Sequence, residues 1–274
     1  MLEFATFIEL GNCMTTLNPI ARPSLASLLI RIKYNDTELA TGTAFTVLTS
    51  RGLFLITNRH NVTGRDQITG NPLDKTNAAI PNKIIISHVK EASAPEWVEK
   101  TELLYENGDL NGKQLWIEHP KLGTKADFVA LPLTSLDDVI PVAYDLKDTG
   151  PNISLAPAEI VSVVGFPFGL TAGGSFAVWA TGFIATEPTI DYNDLPIQLI
   201  DCRSRQGQSG SPVLAYRAGG AVTFEDKSQV IGGANNPVCR FVGIYSGRIR
   251  GDSDLGMVWK VSAIKELIDY CENM

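Results

Sequence analysis

Histidine is scarce in this sequence, and the cysteines are too few and too scattered to build a metal site with it. The three histidines show no zinc-ligand spacing, and the four cysteines (Cys13, Cys202, Cys239, Cys271) form no CxxC pair. A disulfide framework and a structural zinc site are therefore not expected, and no metal or cofactor is implied. A hydrophobic content of 44% supports a core without cross-links. No apolar run reaches the roughly 18 residues of a membrane span. The first ten residues, MLEFATFIEL, carry an acid where a secretory leader needs a basic stretch. These absences predict a cytoplasmic protein with no membrane association. Positive charge is also sparse: the formal net charge is −7 and Lys and Arg nowhere cluster into a long basic stretch, which excludes a nucleic-acid backbone as the expected partner. Internal repeats and low-complexity tracts are missing as well.

What the chain has in quantity is short strand-like segments. SLLIRIKY, GTAFTVL, GLFLITN, KIIISHV, QLWIEH and DFVALPL recur between Gly, Pro, Asn and Asp, followed by EIVSVVGFP, FAVWATGFIA, IQLIDCR, SPVLAYR, QVIGG and RFVGIYSG. So many strand-length runs without intervening helices of 10 to 15 residues predict an all-β barrel or sandwich architecture. The carboxyl end differs. In VSAIKELIDYCENM, Ile264, Leu267, Ile268 and Cys271 fall at helical spacing, with Ser262 as the expected N-cap, so one terminal helix packs back on a β body. The proline-bracketed stretch 141–157 reads as a linker between two β units of roughly 120 residues each. Residues 64–112, polar apart from KIIISHV, read as long loops decorating the first unit.

The segment GQSGSPV, residues 207–213, poses the chemical question. Gly, Ser and Pro gather wherever a chain turns, so Ser209 reads equally as the tip of a turn. A nucleophilic serine needs a base, and usually a carboxylate to orient that base. Of the three histidines, His60 ends a strand-like run, FLITNRHNV, that can present it into a cleft; His88 inside KIIISHV and His119 before Pro120 are explained by a strand face and a turn. Asp127 leads directly into the apolar strand of KADFVALPL, whereas Asp36, Asp109, Asp137 and Asp138 lie in polar, turn-like surroundings. The order is then His60, Asp127, Ser209. No histidine follows Ser209, which removes the serine–acid–histidine order of the α/β-hydrolases. A subtilisin-like order could take Asp36, but the strand-rich pattern does not fit it.

GTAFTV followed by LITNRHNV, then ADFVALPL, GQSGSPV and FVGIYSG with the downstream GMVWKVSAIKELI, resembles the trypsin-like, chymotrypsin-fold serine peptidases, particularly the bacterial branch of glutamyl endopeptidases and HtrA-type protease domains. The resemblance spans residues 42 to about 268. It implies an all-β fold of two antiparallel six-stranded barrels with a C-terminal α-helix: residues 1–145 form the first barrel with long inserted loops and carry His60 and Asp127, and residues 146–274 form the second plus the helix and carry Ser209. It also implies Ser209 as nucleophile, His60 as general base and then acid, Asp127 as the acid that fixes the imidazole tautomer, and the backbone N–H groups of Gly207 and Ser209 as the oxyanion hole. A polypeptide is the implied substrate, with Ser246 and Gly247 on the strand edge that pairs with it. A catalytically silent relative that binds extended peptides or serves as a scaffold is the alternative.

Two departures from the family pattern stand out. Where zymogen-activated members carry an aspartate before the serine, this chain has Gln208, so activation by a new amino terminus is not expected. Ser211 replaces a common glycine. By spacing, Arg203, Ser204, Arg205 and Gln206 form one wall of the specificity pocket and Tyr245, Ser246, Gly247 and Arg248 the other. No acid is placed there to select lysine or arginine. The arginines would favour acidic side chains unless they are solvated or paired with Asp201.

Overall fold

The computed structural model describes residues 20–91, 96–146, 152–232 and 237–274. Cys13 and the amino-terminal decapeptide lie outside them. After one helical turn, α1 (Pro23–Ala26), the chain enters β1 (Ser27–Tyr34), β2 (Thr37–Thr49) and β3 (Gly52–Thr57). A second turn, α2 (Arg59–Thr63), leads to β4 (Lys83–Glu91), β5 (Glu96–Leu103), β6 (Ile117–Glu118) and β7 (Val129–Pro132). The second half holds β8 (Ile160–Gly165), β9 (Val178–Ile184), β10 (Ile197–Asp201), β11 (Pro212–Arg217), β12 (Gly220–Thr223), β13 (Gln229–Gly232), β14 (Val238–Arg248) and β15 (Leu255–Lys260). It ends in α3 (Val261–Asn273).

The all-β expectation holds, with two antiparallel units. The second is a closed six-stranded barrel in the order β10-β15-β14-β11-β8-β9, beside a β12-β13 hairpin. The first is a seven-stranded sheet, β5-β4-β1-β2-β3-β7-β6, rather than a barrel of six. The additional strand is β5, which pairs with β4 along its length from Lys83↔Leu103 to Glu91↔Glu96. Residues 64–112, read as loops from sequence, therefore contain a β-hairpin. EWVEKTEL escaped notice because an edge strand buries little, so its charged residues mask the apolar alternation.

Three apolar cores follow from this arrangement. Leu28, Ile30, Leu55, Ile84, Ile86 and Leu131 fill the first unit; Val161, Val163, Ile200, Val213, Val242 and Val258 fill the second. A third core joins the units, with Phe45, Phe54 and Phe128 from the first meeting Leu214, Ile244 and Trp259 from the second. Ile264, Leu267 and Ile268 of α3 insert into this shared core, so the terminal helix clamps both halves. Full burial of Leu267 removes enough apolar surface for about 1.5–3 kcal/mol of stabilisation. Ser262 is not the N-cap: Lys260, in extended conformation, occupies that position without a side-chain cap, and Ser262 sits inside the first turn. The described part of the linker touches both units, for Tyr144 N–H donates to Thr46 and Ile153 bridges to Phe224; residues 147–151 lie outside the described residues. No helix among the described residues is long and apolar enough to cross a membrane.

Candidate active site

β3 ends at Thr57 and the chain turns at once into α2, so His60 stands in a single helical turn rather than at a strand end. That turn is stopped by Gly64, whose φ of +63° suits glycine and where a Cβ would lie 2.4 Å from Pro81. Asp127 lies just ahead of β7, 3% exposed. β3 and β7 are antiparallel neighbours with Thr57 opposite Val129, and this pairing brings the two residues together. The Asp127 carboxylate accepts the His60 backbone N–H at 3.0 Å through Oδ1 and binds His60 Nδ1 at 2.8 Å through Oδ2. Asn58 Nδ2 donates to the Asp127 carbonyl at 2.6 Å and fixes the backbone behind it.

A third donor comes from the other unit. Ser246 Oγ donates to Asp127 Oδ2 at 2.5 Å. From sequence, Ser246 stood for a substrate-pairing edge and a wall of the specificity pocket; its hydroxyl completes the shell of the buried carboxylate. Burial works against the protonated imidazole of His60, but the Asp127 charge, their hydrogen bond and the more distant Asp66 outweigh it, so the His60 pKa is raised above its ordinary 6.5. The other histidines play no part in this cluster. His88 is buried on β4 with its pKa pushed down to about 4 by desolvation and then by Lys100. His119 Nδ1 caps a turn, accepting the amides of Lys121 and Leu122. Asp36, Asp109, Asp137 and Asp138 are exposed.

The turn carrying Ser209 depends on two glycines in left-handed backbone conformation, Gly207 at φ +93° and Gly210 at φ +90°. Space is as restrictive as the dihedral: a Cβ at Gly207 would lie 2.4 Å from the Phe166 carbonyl oxygen, and one at Gly210 2.0 Å from that of Thr43. Among the described residues, neither the Gly207 nor the Ser209 amide is consumed by another backbone or side-chain group, so both remain as donors. Gln208 is fully buried and its Oε1 accepts the Arg205 N–H at 2.7 Å, a neutral hydrogen bond inside the turn itself. Ser211 is also fully buried, and a Cβ on Gly165 would approach its Oγ to 1.9 Å; glycine at 165 accommodates the serine at 211.

Thr43 and Asn61 escaped the sequence reading. Thr43 donates through Oγ1 to Gly207 O at 2.8 Å and through its amide to Ser209 O at 2.9 Å, while Asn61 Nδ2 reaches Ser209 O at 3.2 Å. Both belong to the first unit and hold a turn of the second. The threonine of GTAFTV and the asparagine following RH were visible in the sequence, but nothing local marked their distant partners. Ser209, His60, Gly207 and Gln206 open onto one cavity of about 530 Å³.

A family model described as a trypsin-like peptidase domain matches residues 42–222, most of the chain. The chain belongs to the trypsin-like peptidase family. The match does not sort it between the glutamyl-endopeptidase and HtrA-type branches. Among solved structures it is similar to a thermostable serine protease, AL20, from an extremophilic microorganism, with 12% identity and a TM-score of 0.52 over 92% of this chain and 99% of the other. It is also similar to a serine endoprotease from Yersinia pestis, with 14% identity and a TM-score of 0.49 over 92% of this chain. The chain spans 64% of the length of that Yersinia protein. No curated protein sequence matches it. The likeness to AL20 speaks to the fold alone.

The residues of this trypsin-like peptidase that the sequence assigned to a specificity pocket differ in their exposure. Arg203, Arg205 and Gln206 are exposed, Ser204 is fully buried, and Gly247 and Arg248 are half-buried at the end of β14. Arg205 approaches Asp254 at 3.9 Å rather than pairing with Asp201. Cys202 is buried, and desolvation followed by the charges of Asp201 and Asp254 pushes its thiol up to about 11, which suits a structural rather than a reactive cysteine. Among the described residues no group of His, Cys, Asp and Glu has the arrangement of a metal site.

Proposed function

We propose that the peptidase cleaves peptide bonds through Ser209, His60 and Asp127 by way of an acyl-enzyme. The observation that carries this reading is the pair of hydrogen bonds that His60 donates to the Asp127 carboxylate. An ionised carboxylate only accepts, so the bond at Nδ1 places the imidazole proton there and leaves the lone pair on Nε2. Nε2 takes the Ser209 hydroxyl proton as Oγ attacks the substrate carbonyl carbon, and the new oxyanion accepts the free N–H groups of Gly207 and Ser209. His60 returns the proton to the leaving amine, the C–N bond breaks, and the acyl group stays on Ser209. Water then enters with His60 again as base, releasing the acid and restoring the hydroxyl. Each imidazolium stage is stabilised by Asp127, in keeping with the raised pKa of His60.

The test is labelling with a fluorophosphonate probe, followed by peptide hydrolysis with the wild type and Ser209→Ala. Covalent modification at Ser209 and hydrolysis that disappears in the variant are expected. A folded protein that neither labels nor hydrolyses any peptide would instead be a silent, peptide-binding member of the family.

A further inference from the structure

We propose that Tyr245 is a specificity-determining residue: its ring closes the pocket on the acyl side of the scissile bond, so that a small side chain is accepted before that bond and a large apolar one after it. The inference rests on the peptidase reading above and names its substrate class.

The acyl side is fixed by the free edge of β14. β11 pairs with β14 only as far as Pro212↔Ile244, and Tyr245 then closes the register through Ser211 and Gly210. From Ser246 to Arg248 that edge has no strand partner among the described residues, while the opposite edge is bonded to β15. A peptide added along residues 246–248 reaches Ser209 with its last side chain directed between segment 203–206 and β14. That space already holds the Tyr245 ring. A Cβ on Gly256 would meet its Cε2 at 2.5 Å, so the ring lies directly on the β15 glycine. Its hydroxyl is hydrogen-bonded to Ser204 Oγ, which ties the ring to the segment before the Ser209 turn. Tyr245 is 2% exposed and Ser204 is not exposed at all, and Tyr245 packs into the apolar core of the second barrel with Cys202 and Val258. The two walls expected from sequence thus meet through a side chain of the protein's own. Desolvation raises the phenol pKa to about 12, so the hydroxyl stays neutral and the contact persists across the pH range of a peptidase.

On the other side of Ser209 the surface is open. The 530 Å³ cavity includes no residue of 245–248; from His60 and Ser209 it runs between Leu39 and Ala40 on β2 and Leu73, Ala79 and Pro81 of the loop after α2. Its walls combine these apolar side chains with Thr41, Asn61, Asp74 and Lys75, and its volume lies in the range of small-ligand sites. A peptide leaving Ser209 away from β14 enters this cavity, which has room for a large apolar side chain.

The experiment uses the full chain. Fluorophosphonate labelling comes first; its absence would refute the catalytic reading, whereas the outcomes below concern only selectivity. In a peptide-library digest, the expected sites have Gly, Ala or Ser before the cleaved bond and Leu, Met or Phe after it. Tyr245→Ala should raise the kcat/KM ratio for Phe over Ala before the bond on the order of 100-fold. Tyr245→Phe should leave that ratio where it was, since the ring and not the hydroxyl fills the space. Leu39→Asp should lower cleavage of peptides with Leu after the bond, relative to Gly, by roughly 10-fold. A wild-type preference for large side chains before the bond would overturn the proposal, as would a folded, labelled Tyr245→Ala with an unchanged ratio. If Tyr245→Ala does not fold, the wild-type profile and Leu39→Asp decide the matter by the same criteria.

Discussion

The Thr43 amide on β2 donates to the carbonyl oxygen of Ser209 at 2.9 Å, and the Thr43 hydroxyl donates to Gly207 O in the same turn. One residue of the first unit thereby braces the backbone on both sides of Gln208 in the second. The same hydroxyl also accepts the Phe166 N–H at 3.1 Å. Thr43→Val preserves shape but leaves two buried backbone groups unpaired, at about 1–3 kcal/mol each. The expected result is a lower melting temperature and a kcat reduced by about 10- to 100-fold, with KM changed far less, because the disturbed groups position the oxyanion donors. Thr43→Ser should restore most of the loss. Equal kcat in the wild type and the Val variant would show that the turn holds without this brace.

Replacement of Ser209 by Ala should abolish hydrolysis, with losses that for a triad member reach on the order of a millionfold in kcat, and leave the melting temperature nearly unchanged. His60→Ala should be comparably severe. Asp137→Asn and Asp138→Asn, at exposed positions, should behave as wild type in kcat/KM.

The acid limb of the kcat/KM profile should lie above pH 6.5, because Asp127 favours the protonated imidazole of His60 more than burial opposes it. Asp127→Asn removes that charge, so the limb should move to lower pH while the rate above it falls by roughly four orders of magnitude, if the amide holds the wrong tautomer. Ser246→Ala removes one donor to Asp127 and should slow catalysis less than Asp127→Asn. A profile that is flat from pH 5 to 9 would exclude His60 as the base. For stability the sign is opposite to that of an acid: the raised His60 pKa adds stability below pH 6.5 that is lost as pH rises through the folded-state value.

His88 runs the other way. Its pKa of about 4 means that the folded protein holds it neutral while the unfolded chain binds a proton below pH 6.5. Stability from this residue is present above pH 6.5 and is lost as pH falls toward 4, amounting at most to about 3 kcal/mol. Among the described residues His88 Nε2 has no hydrogen-bond partner, so an apolar replacement strands no other described group on that atom. His88→Leu should flatten the decline of unfolding free energy between pH 6.5 and 4 in urea titrations; an unchanged slope would place the acid sensitivity elsewhere.

Gly165→Ala tests the packing behind the Ser209 turn. The added Cβ would lie 1.9 Å from Ser211 Oγ and 2.7 Å from Thr43 Oγ1, an overpacking expected to cost about 1–3 kcal/mol. Ser211→Gly in the same protein should recover part of that loss, and a double-mutant cycle measures the coupling. Simple additivity of the two changes would show that the residues do not share the space.

The sequence by itself determined the strand-rich class and the terminal helix, and it singled out His60, Asp127 and Ser209 as candidates. Those features depend on short-range rules: period-two burial in GTAFTV and DFVALPL, helical spacing in α3, and glycines flanking a serine in a turn that no Cβ fits. Strand β5 was hidden because charged residues at a sheet edge satisfy no burial pattern. Ser246 at the carboxylate, Thr43 beneath the turn and Tyr245 between Ser204 and Gly256 were decided only by the tertiary structure. Each of these contacts joins a strand residue to a segment distant in sequence, and a side chain's partner across a barrel is fixed by register and sheet closure, which no local run of residues encodes.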